Sequence, residues 1–313
     1  MQIPTLADIR AARQAIVGTA IRTPLVRLNA PEIPAEIYLK LENLQPIGSF
    51  KIRGATNAIA HMTADQLRQG VVTASAGNMA QGVAWRAREL GIPCTVLVPE
   101  TAPETKLRGI HRLGGRIVKV TFEEWWRAFE TRSHPGVEGA FVHAFDDTHV
   151  LAGNGTIGLE IFEDLPEVDA VIIPWGGGGL ACGIAAAIRA LTPSTKIYAA
   201  EVATAAPLTA SWKAGSPQTI EPQRTFVDGI GGKSVFPQMF ALSRQLLDGV
   251  LVAELESVSA AIRQLAERAR IIAEGAGATP VACARALPGG KIVCVVSGGN
   301  IDLSKLAEIF GTK

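Results

Sequence analysis

Lys51 lies in Gly48-Ser49-Phe50-Lys51-Ile52-Arg53-Gly54, an amine between two apolar side chains and two glycines. Apolar surroundings disfavour an ammonium charge and lower the pKa of a lysine. A neutral amine held against a ligand can form a Schiff base with a carbonyl group. A solvated helix lysine is the competing reading, and this segment alone does not separate the two. A second segment bears on it. Asp169–Trp175 reads as a strand and runs directly into Gly176, Gly177, Gly178, Gly179 and Leu180, ahead of a helix pattern with Leu180, Ile184, Ala187, Ile188 and Leu191 on one face. Without Cβ atoms, consecutive N–H groups can converge on an anion, and the helix N-terminus adds partial positive charge. The segment has neither the GxGxxG nor the GxxxxGK[ST] spacing, so one phosphate fits better than a dinucleotide or ATP. A tight turn is the bland alternative, but a turn needs one or two glycines rather than a run of four.

Two further loops follow strand patterns. Ser75-Ala76-Gly77-Asn78-Met79 offers a hydroxyl, backbone donors and an amide suited to a carboxylate or a ring oxygen, although such residues also cap helices. Ser297-Gly298-Gly299-Asn300 places a hydroxyl at the carboxyl end of the strand Ile292–Val296, or simply turns the chain into the last helix. An aldehyde for Lys51, a phosphate for the glycines, and a ring with an oxygen for Asn78 and a nitrogen for Ser297 are combined in pyridoxal 5′-phosphate.

The elements that would position these groups alternate. Strands are predicted at Val71–Thr73, Cys94–Val98, Arg116–Val120, Asp169–Pro174, Lys196–Glu201 and Lys291–Val296. Helices are predicted near Met79–Leu90, Ala102–Leu113, Leu180–Leu191 and Ser257–Ile272, and after Asn300. Thr101 and Glu104 have the spacing of a capping box, with Pro103 suited to the first turn. Phe122, Trp125, Trp126 and Phe129 form a stripe at helical spacing, read as core packing rather than as a substrate entrance. The alternation predicts an α/β protein with two open, mainly parallel twisted sheets, covered by helices on both faces. Ligands of such sheets bind outside the carboxyl ends of strands.

Composition narrows the function. The chain has 313 residues, 48% of them hydrophobic, and a net charge of +1, which makes no case for nucleic acid or an anionic membrane. No apolar run approaches the roughly 20 residues of a membrane span. The N-terminal residues lack the pattern of a signal peptide. The four cysteines Cys94, Cys182, Cys283 and Cys294 are far apart, which points to reduced thiols and a cytoplasmic location. The five histidines show no metal-ligand spacing.

In series, Leu41–Ala55, Ser75–Gly82, Phe145-Asp146-Asp147, Gly155–Glu160, Gly176–Leu180, Ala273–Ala278 and Ser297–Asn300 resemble the fold-type II pyridoxal-phosphate enzymes, and among them the threonine/serine dehydratases related to serine racemase. The resemblance covers nearly the whole chain. It implies a large domain of residues 1–50 and 145–313 and a small inserted domain of residues 51–144, with the cofactor in the cleft between them. It implies that Lys51 bears the internal aldimine and Phe50 packs on the cofactor ring. Asn78 would meet the ring 3′-oxygen, Gly176–Gly179 with Leu180 the phosphate, and Ser297 the pyridine nitrogen. Ser75, Ala76, Gly77, Asn78 and Met79 would form the substrate-carboxylate loop. The implied reaction is elimination of ammonia from a β-hydroxy amino acid such as threonine, serine, a 3-hydroxyaspartate or a phenylserine, in a homo-oligomer. A racemase or a β-replacement synthase of the same fold is the alternative, and a non-catalytic amino-acid-binding module a remoter one.

The chain departs from that pattern at four places. Met79 replaces the usual His, and Trp175 a small aliphatic residue, which leaves the substrate open. Ala76 replaces the second Ser of serine racemases. Pro207 stands six residues after Glu201, where relatives place a second carboxylate, so no family-like magnesium site is expected. The segment after the last helix is too short for the regulatory domain of isoleucine-pathway dehydratases.

Overall fold

The computed structural model describes residues 1–311. In chain order its elements are α1 (Leu6–Ala15), β1 (Leu25–Arg27), β2 (Glu36–Leu41), α2 (Lys51–Ala60), α3 (Ala64–Gln69), β3 (Val71–Ala74), α4 (Asn78–Leu90), β4 (Cys94–Pro99), α5 (Glu104–Arg112), β5 (Arg116–Val120), α6 (Phe122–Thr131), β6 (Ala140–Phe141) and α7 (Thr148–Asp164). Then come β7 (Ala170–Pro174), α8 (Gly179–Leu191), β8 (Lys196–Val202), α9 (Pro207–Ala214), α10 (Pro237–Leu246), β9 (Gly249–Ala253), α11 (Leu255–Gln264), α12 (Gly275–Ala284), β10 (Lys291–Val296) and α13 (Leu303–Gly311).

Two sheets result. One has six strands in the order β1-β2-β10-β7-β8-β9, and the other four in the order β5-β4-β3-β6. Among the described residues only β1 is antiparallel to its neighbouring strand; every other pairing between these strands is parallel. Parallel strands covered on both faces must be apolar throughout, and β7 shows why. Ile172 packs into the core on one face with Val258, Ile262 and Val281 of α11 and α12. Val171 and Ile173 pack on the other face with Ile157, Ile184 and Met239 of α7, α8 and α10.

Two expectations are corrected. Thr101 and Glu104 make no capping box: Pro103 is the extended N-cap residue of α5 and no side chain caps the helix. The helix predicted over Ser257–Ile272 ends earlier. After α11 the chain widens into a π-type turn at Leu265–Ala269 and stops where Arg270 turns left-handed at φ 61°. Asp147 caps α7 by accepting the His149 N–H at 2.7 Å, and Asp146 pairs with Arg132 at 3.0 Å. All four cysteines are buried and unpaired. Among the described residues no helix is long and apolar enough to cross a membrane.

The start of α2 is held by a buried ionic cluster. Arg53 donates from Nε and Nη2 to both oxygens of Glu42 at 2.8 Å. It also reaches both oxygens of Glu160, at 2.6 and 2.9 Å. Lys40 Nζ lies 2.6 Å from Glu160 Oε2 and donates to Thr23 O at 2.6 Å. Lys40 and Glu42 are 0% exposed, Arg53 1% and Glu160 5%. Burial opposes every one of these charges, but the Arg53 guanidinium and its hydrogen bonds hold Glu42 below the usual carboxylate range. Removing one member of such a cluster leaves a charge uncompensated. Glu160→Gln should therefore lower the unfolding free energy by about 3–5 kcal/mol. Glu163→Gln, on the half-exposed surface pairs with Arg13 and Arg22, should cost about 0–1 kcal/mol. Urea unfolding of the two variants checks this; equal effects would mean that the cluster does not anchor α2.

Candidate active site

The carboxyl ends of β3, β7 and β10 release the loops that begin at Ser75, Trp175 and Ser297, and these converge on one cavity of about 520 Å³ with α2 at its side. Phe50, Lys51, Ser75, Ala76, Gly77, Asn78, Met79, Gly176, Gly177, Gly178, Gly179, Leu180 and Ser297 all line it. The sequence thus marked one place, from segments more than two hundred residues apart.

Lys51 is the first residue of α2. Its Nζ donates to Ala144 O at 2.8 Å and lies 5.1 Å from the centre of the Phe50 ring. Burial lowers its pKa from 10.5 to about 8, against the pull of the Glu274 charge. The loop before Lys51 is stitched to the Ser297 loop: Phe50 N–H donates to Ser297 O at 3.0 Å and Gly299 N–H to Gly48 O at 2.9 Å. Ser297 is 2% exposed, and Gly277 of α12 passes so close that a Cβ there would sit 2.6 Å from Gly298 O.

The glycine cradle is equally constrained. A Cβ on Gly177 would lie 1.9 Å from the Phe145 ring, one on Gly179 2.7 Å from Phe145 Cβ, and one on Gly178 2.5 Å from the Trp175 ring. Gly178 is also left-handed, with φ +90°. The first bond of α8 runs from Cys182 N–H to Gly178 O, so the N–H groups before it have no acceptor within the helix.

Trp175 is not a cavity wall. It is 1% exposed and packs with Met239 behind Gly178, so it shapes the cradle from the core side. Met79 does line the cavity, although it is only 2% exposed. The stripe on α6 is corrected as well. Phe129 is buried core, but Phe122, Trp125 and Phe129 all border the cavity, and Phe122 is 53% exposed at its rim. The contact runs inward through rings: Trp125 to Phe129 at 5.8 Å, then Phe129 to Phe145 at 5.4 Å. His143 braces that wall. Its Nδ1 accepts the Phe145 and Asp146 N–H groups at 3.3 and 2.7 Å, which leaves the ring proton on Nε2. Burial, aided by the Arg132 charge, pulls its pKa down to about 3, so the ring is neutral.

Glu274 and Asn300 received no role from the sequence, yet both border the cavity and hold Asn78. Asn78 Nδ2 donates to Glu274 at 3.0 Å and Asn300 Nδ2 donates to Asn78 Oδ1 at 2.8 Å. The available signal for Glu274 was a carboxylate directly before the small-residue run Gly275-Ala276-Gly277, where backbone must approach backbone. Arg224 and Asp228 stand at the cavity rim. Glu201, considered as a cation ligand, instead caps α9 by accepting the Leu208 and Thr209 N–H groups at 2.8 Å. Among the described residues no group of three His, Cys, Asp or Glu side chains could hold a metal ion.

Residues 16–298 match the family described as "Pyridoxal-phosphate dependent enzyme". The chain is 41% identical to L-threonine ammonia-lyase of Thermotoga maritima over 312 residues, 97% of this chain and 78% of that one. Among solved structures, maize serine racemase superimposes with a TM-score of 0.92 at 31% identity, covering 99% of this chain and 97% of that one. The processed threonine deaminase isoform 2 of Solanum lycopersicum does so with a TM-score of 0.89 at 34% identity, over 97% and 91%. The chain belongs to this family of fold-type II enzymes, and its cofactor is pyridoxal 5′-phosphate.

The cavity fits that group: it joins a cradle in which no side chain has room, a desolvated amine and a fixed amide. In the cofactor-free protein, labelling of Lys51 by an amine reagent should be half-maximal near pH 8 rather than near 10.5, read by peptide mass spectrometry. Gly177→Ala should weaken cofactor uptake about tenfold or more, since even a 1.4 kcal/mol clash has that effect. Gly232→Ala, which meets nothing within 4 Å, should not.

Proposed function

We propose that this enzyme is an ammonia-lyase that converts a β-hydroxy α-amino acid, L-threonine foremost and L-serine after it, to the 2-oxo acid and ammonia. The observation that carries the reading is the half-buried Lys51 amine, lowered to about pKa 8 on a cavity bounded by three glycine-bearing loops. When bound, pyridoxal phosphate supplies a carbonyl carbon for amines and a conjugated ring that takes up the electrons left when Cα loses its proton. Lys51 is the residue that would hold it covalently, with Gly176–Gly179 and the start of α8 at the phosphate, Asn78 and Ser297 at the ring, and Phe50 against it. Once the substrate amine has replaced it, Lys51 Nζ takes the Cα proton; a base with a pKa near 8 suits that step at neutral pH. Ser75 to Met79 at the mouth of α4 provide backbone N–H groups for the substrate carboxylate. Loss of the β-hydroxyl as water, then hydrolysis, releases the 2-oxo acid and ammonia.

One feature supports elimination over racemisation: Ala76 offers no hydroxyl to return a proton on the far face. The aromatic face of α6 supports an apolar β-substituent: threonine ahead of serine, phenylserine accepted, and a 3-hydroxyaspartate disfavoured because its carboxylate would be desolvated against rings. Residues 51–144, which carry the four-stranded sheet, would form a small domain inserted into a larger one made of residues 1–50 and 145–313, able to close on the substrate. A homo-oligomer, dimer or tetramer, in the cytoplasm completes the reading; the four unpaired, buried cysteines suit a reducing compartment.

Lys51→Ala should abolish ammonia release, and borohydride reduction of the wild-type holoenzyme should fix the cofactor mass on the Lys51 peptide. A fully active Lys51→Ala variant ends the assignment. On a panel of β-hydroxy amino acids kcat/KM should rank threonine above serine and both above 3-hydroxyaspartate; inertness toward all of them overturns the ammonia-lyase reading. Wild type should form little D-serine, and Ala76→Ser should raise it.

A further inference from the structure

We infer that Glu274 and Asn300 are positioning residues that lock the Asn78 amide in one orientation, so that Asn78 meets the cofactor only as a hydrogen-bond donor. This rests on the cavity being the cofactor site. The chain of contacts runs from Ile47 O to Asn300 Nδ2 at 2.8 Å, from Asn300 Nδ2 to Asn78 Oδ1 at 2.8 Å, and from Asn78 Nδ2 to Glu274 Oε1 and Oε2 at 3.0 and 3.3 Å. Both ends are acceptors: a backbone carbonyl and a carboxylate. Ile47 O obliges Asn300 to present its nitrogen, which turns the oxygen of Asn78 toward Asn300. Glu274 obliges Asn78 to present its nitrogen at the other end. A flip of either amide would set oxygen against oxygen, so the polarity of the chain follows from chemistry.

Of the two N–H groups on Asn78 Nδ2, one is committed to Glu274 and one remains. The group that Asn78 meets in the cavity must therefore accept, as a deprotonated ring oxygen does and a protonated one does less well. Crowding keeps the chain in place: a Cβ on Gly48 would lie 2.7 Å from Asn300 Oδ1, and one on Gly298 2.4 Å from Glu274 Oε1.

Glu274 has a second effect, which Asn300 cannot share. Its charge favours the ammonium form of Lys51. The other polar groups around that amine do not replace it: His143 is neutral, Ala144 O is uncharged, and Arg224 and Asp228 stand at the rim. Neutralising Glu274 therefore alters two properties, whereas shortening Asn300 alters one.

The test uses the purified full chain, stripped of cofactor and titrated with pyridoxal phosphate, with Lys51 labelling followed against pH in the same preparations. Glu274→Gln, whose amide can present either atom, should raise the Kd for pyridoxal phosphate roughly tenfold. It should also move the labelling midpoint below that of wild type, because the charge that favours the ammonium form is gone. Asn300→Ser should raise the Kd to a similar degree and leave the midpoint where it is. Unchanged Kd and midpoint in Glu274→Gln, or an unchanged Kd in Asn300→Ser, overturns the inference. Should Glu274→Gln fail to fold, Asn300→Ser alone decides the orientation claim. A wild-type protein that takes up no pyridoxal phosphate defeats the reading of the cavity itself, whereas normal uptake by wild type and both variants defeats only this inference.

Discussion

The reactive amine depends on a guanidinium two residues away that never touches the cavity. Arg53 spends its donors on Glu42, which precedes the lysine loop, and on Glu160, deep in α7. An apolar cluster of equal volume could match its stability, but apolar contacts are not directional. The planar fork of Arg53 against two carboxylates fixes the rotation of α2 about its axis, and that rotation aims Lys51. Close backbone contacts extend the constraint. A Cβ on Gly153 would lie 2.6 Å from Arg53 O, and one on Gly183 2.4 Å from Leu151 O. Helix α2 is thereby seated on α7, and α7 on α8, whose N-terminus is the glycine cradle. Amine and cradle are thereby linked through directly packed helices.

Within the cavity, electrostatic balance is set by few charges. Desolvation alone would push the Lys51 amine further down, and Glu274 holds it near pKa 8. His143 sits one residue before Ala144, the acceptor of the lysine, yet it contributes no charge because burial keeps it neutral. A protonated imidazole there would repel the ammonium and would lose the two backbone N–H groups that bond to Nδ1 and turn the chain toward Phe145. The polar side of the cavity is thus made of backbone groups and oriented amides, which cost little reorganisation when a ligand arrives.

The site was more legible in the sequence than the scaffold was. Lysine, glycines, Asn78 and Ser297 announce themselves by residue type, because only a few chemistries need them at strand ends. The strands β3, β4, β7, β8 and β10 were visible as apolar runs, since burial on both faces leaves no polar alternation to misread, while the edge strand β5 showed through Ile117, Val118 and Val120 despite its exposed Arg116 and Lys119. Strand β2 was not, because Lys40 interrupts it, and the charge that makes Lys40 tolerable comes from Glu160, far along the chain. The same blindness to distant partners hid Glu274: its meaning lies in Asn78, nearly two hundred residues earlier. The false capping box at Thr101 and Glu104 shows the opposite error, a local pattern that the backbone at Pro103 does not use. Trp175 misled for a geometric reason. Its neighbours in sequence face the cavity, but side chains at a strand end alternate in direction, and its ring goes into the core.

That alternation separates two kinds of divergence within one fold. Residues behind the cradle, such as Trp175 with Met239, back the glycines from the core side without lining the cavity themselves. Changes at Phe122 meet little else, because that ring is 53% exposed at the cavity rim, whereas Trp125 behind it stacks on Phe129. Helix α6 also carries its own capping box, with Thr121 accepting the Glu124 N–H, so its backbone is secured independently of the residues on its cavity face. A helix stable in its own right, with one ring exposed at the rim of a cavity whose lysine and amide are fixed by other elements, can change that ring without displacing either group.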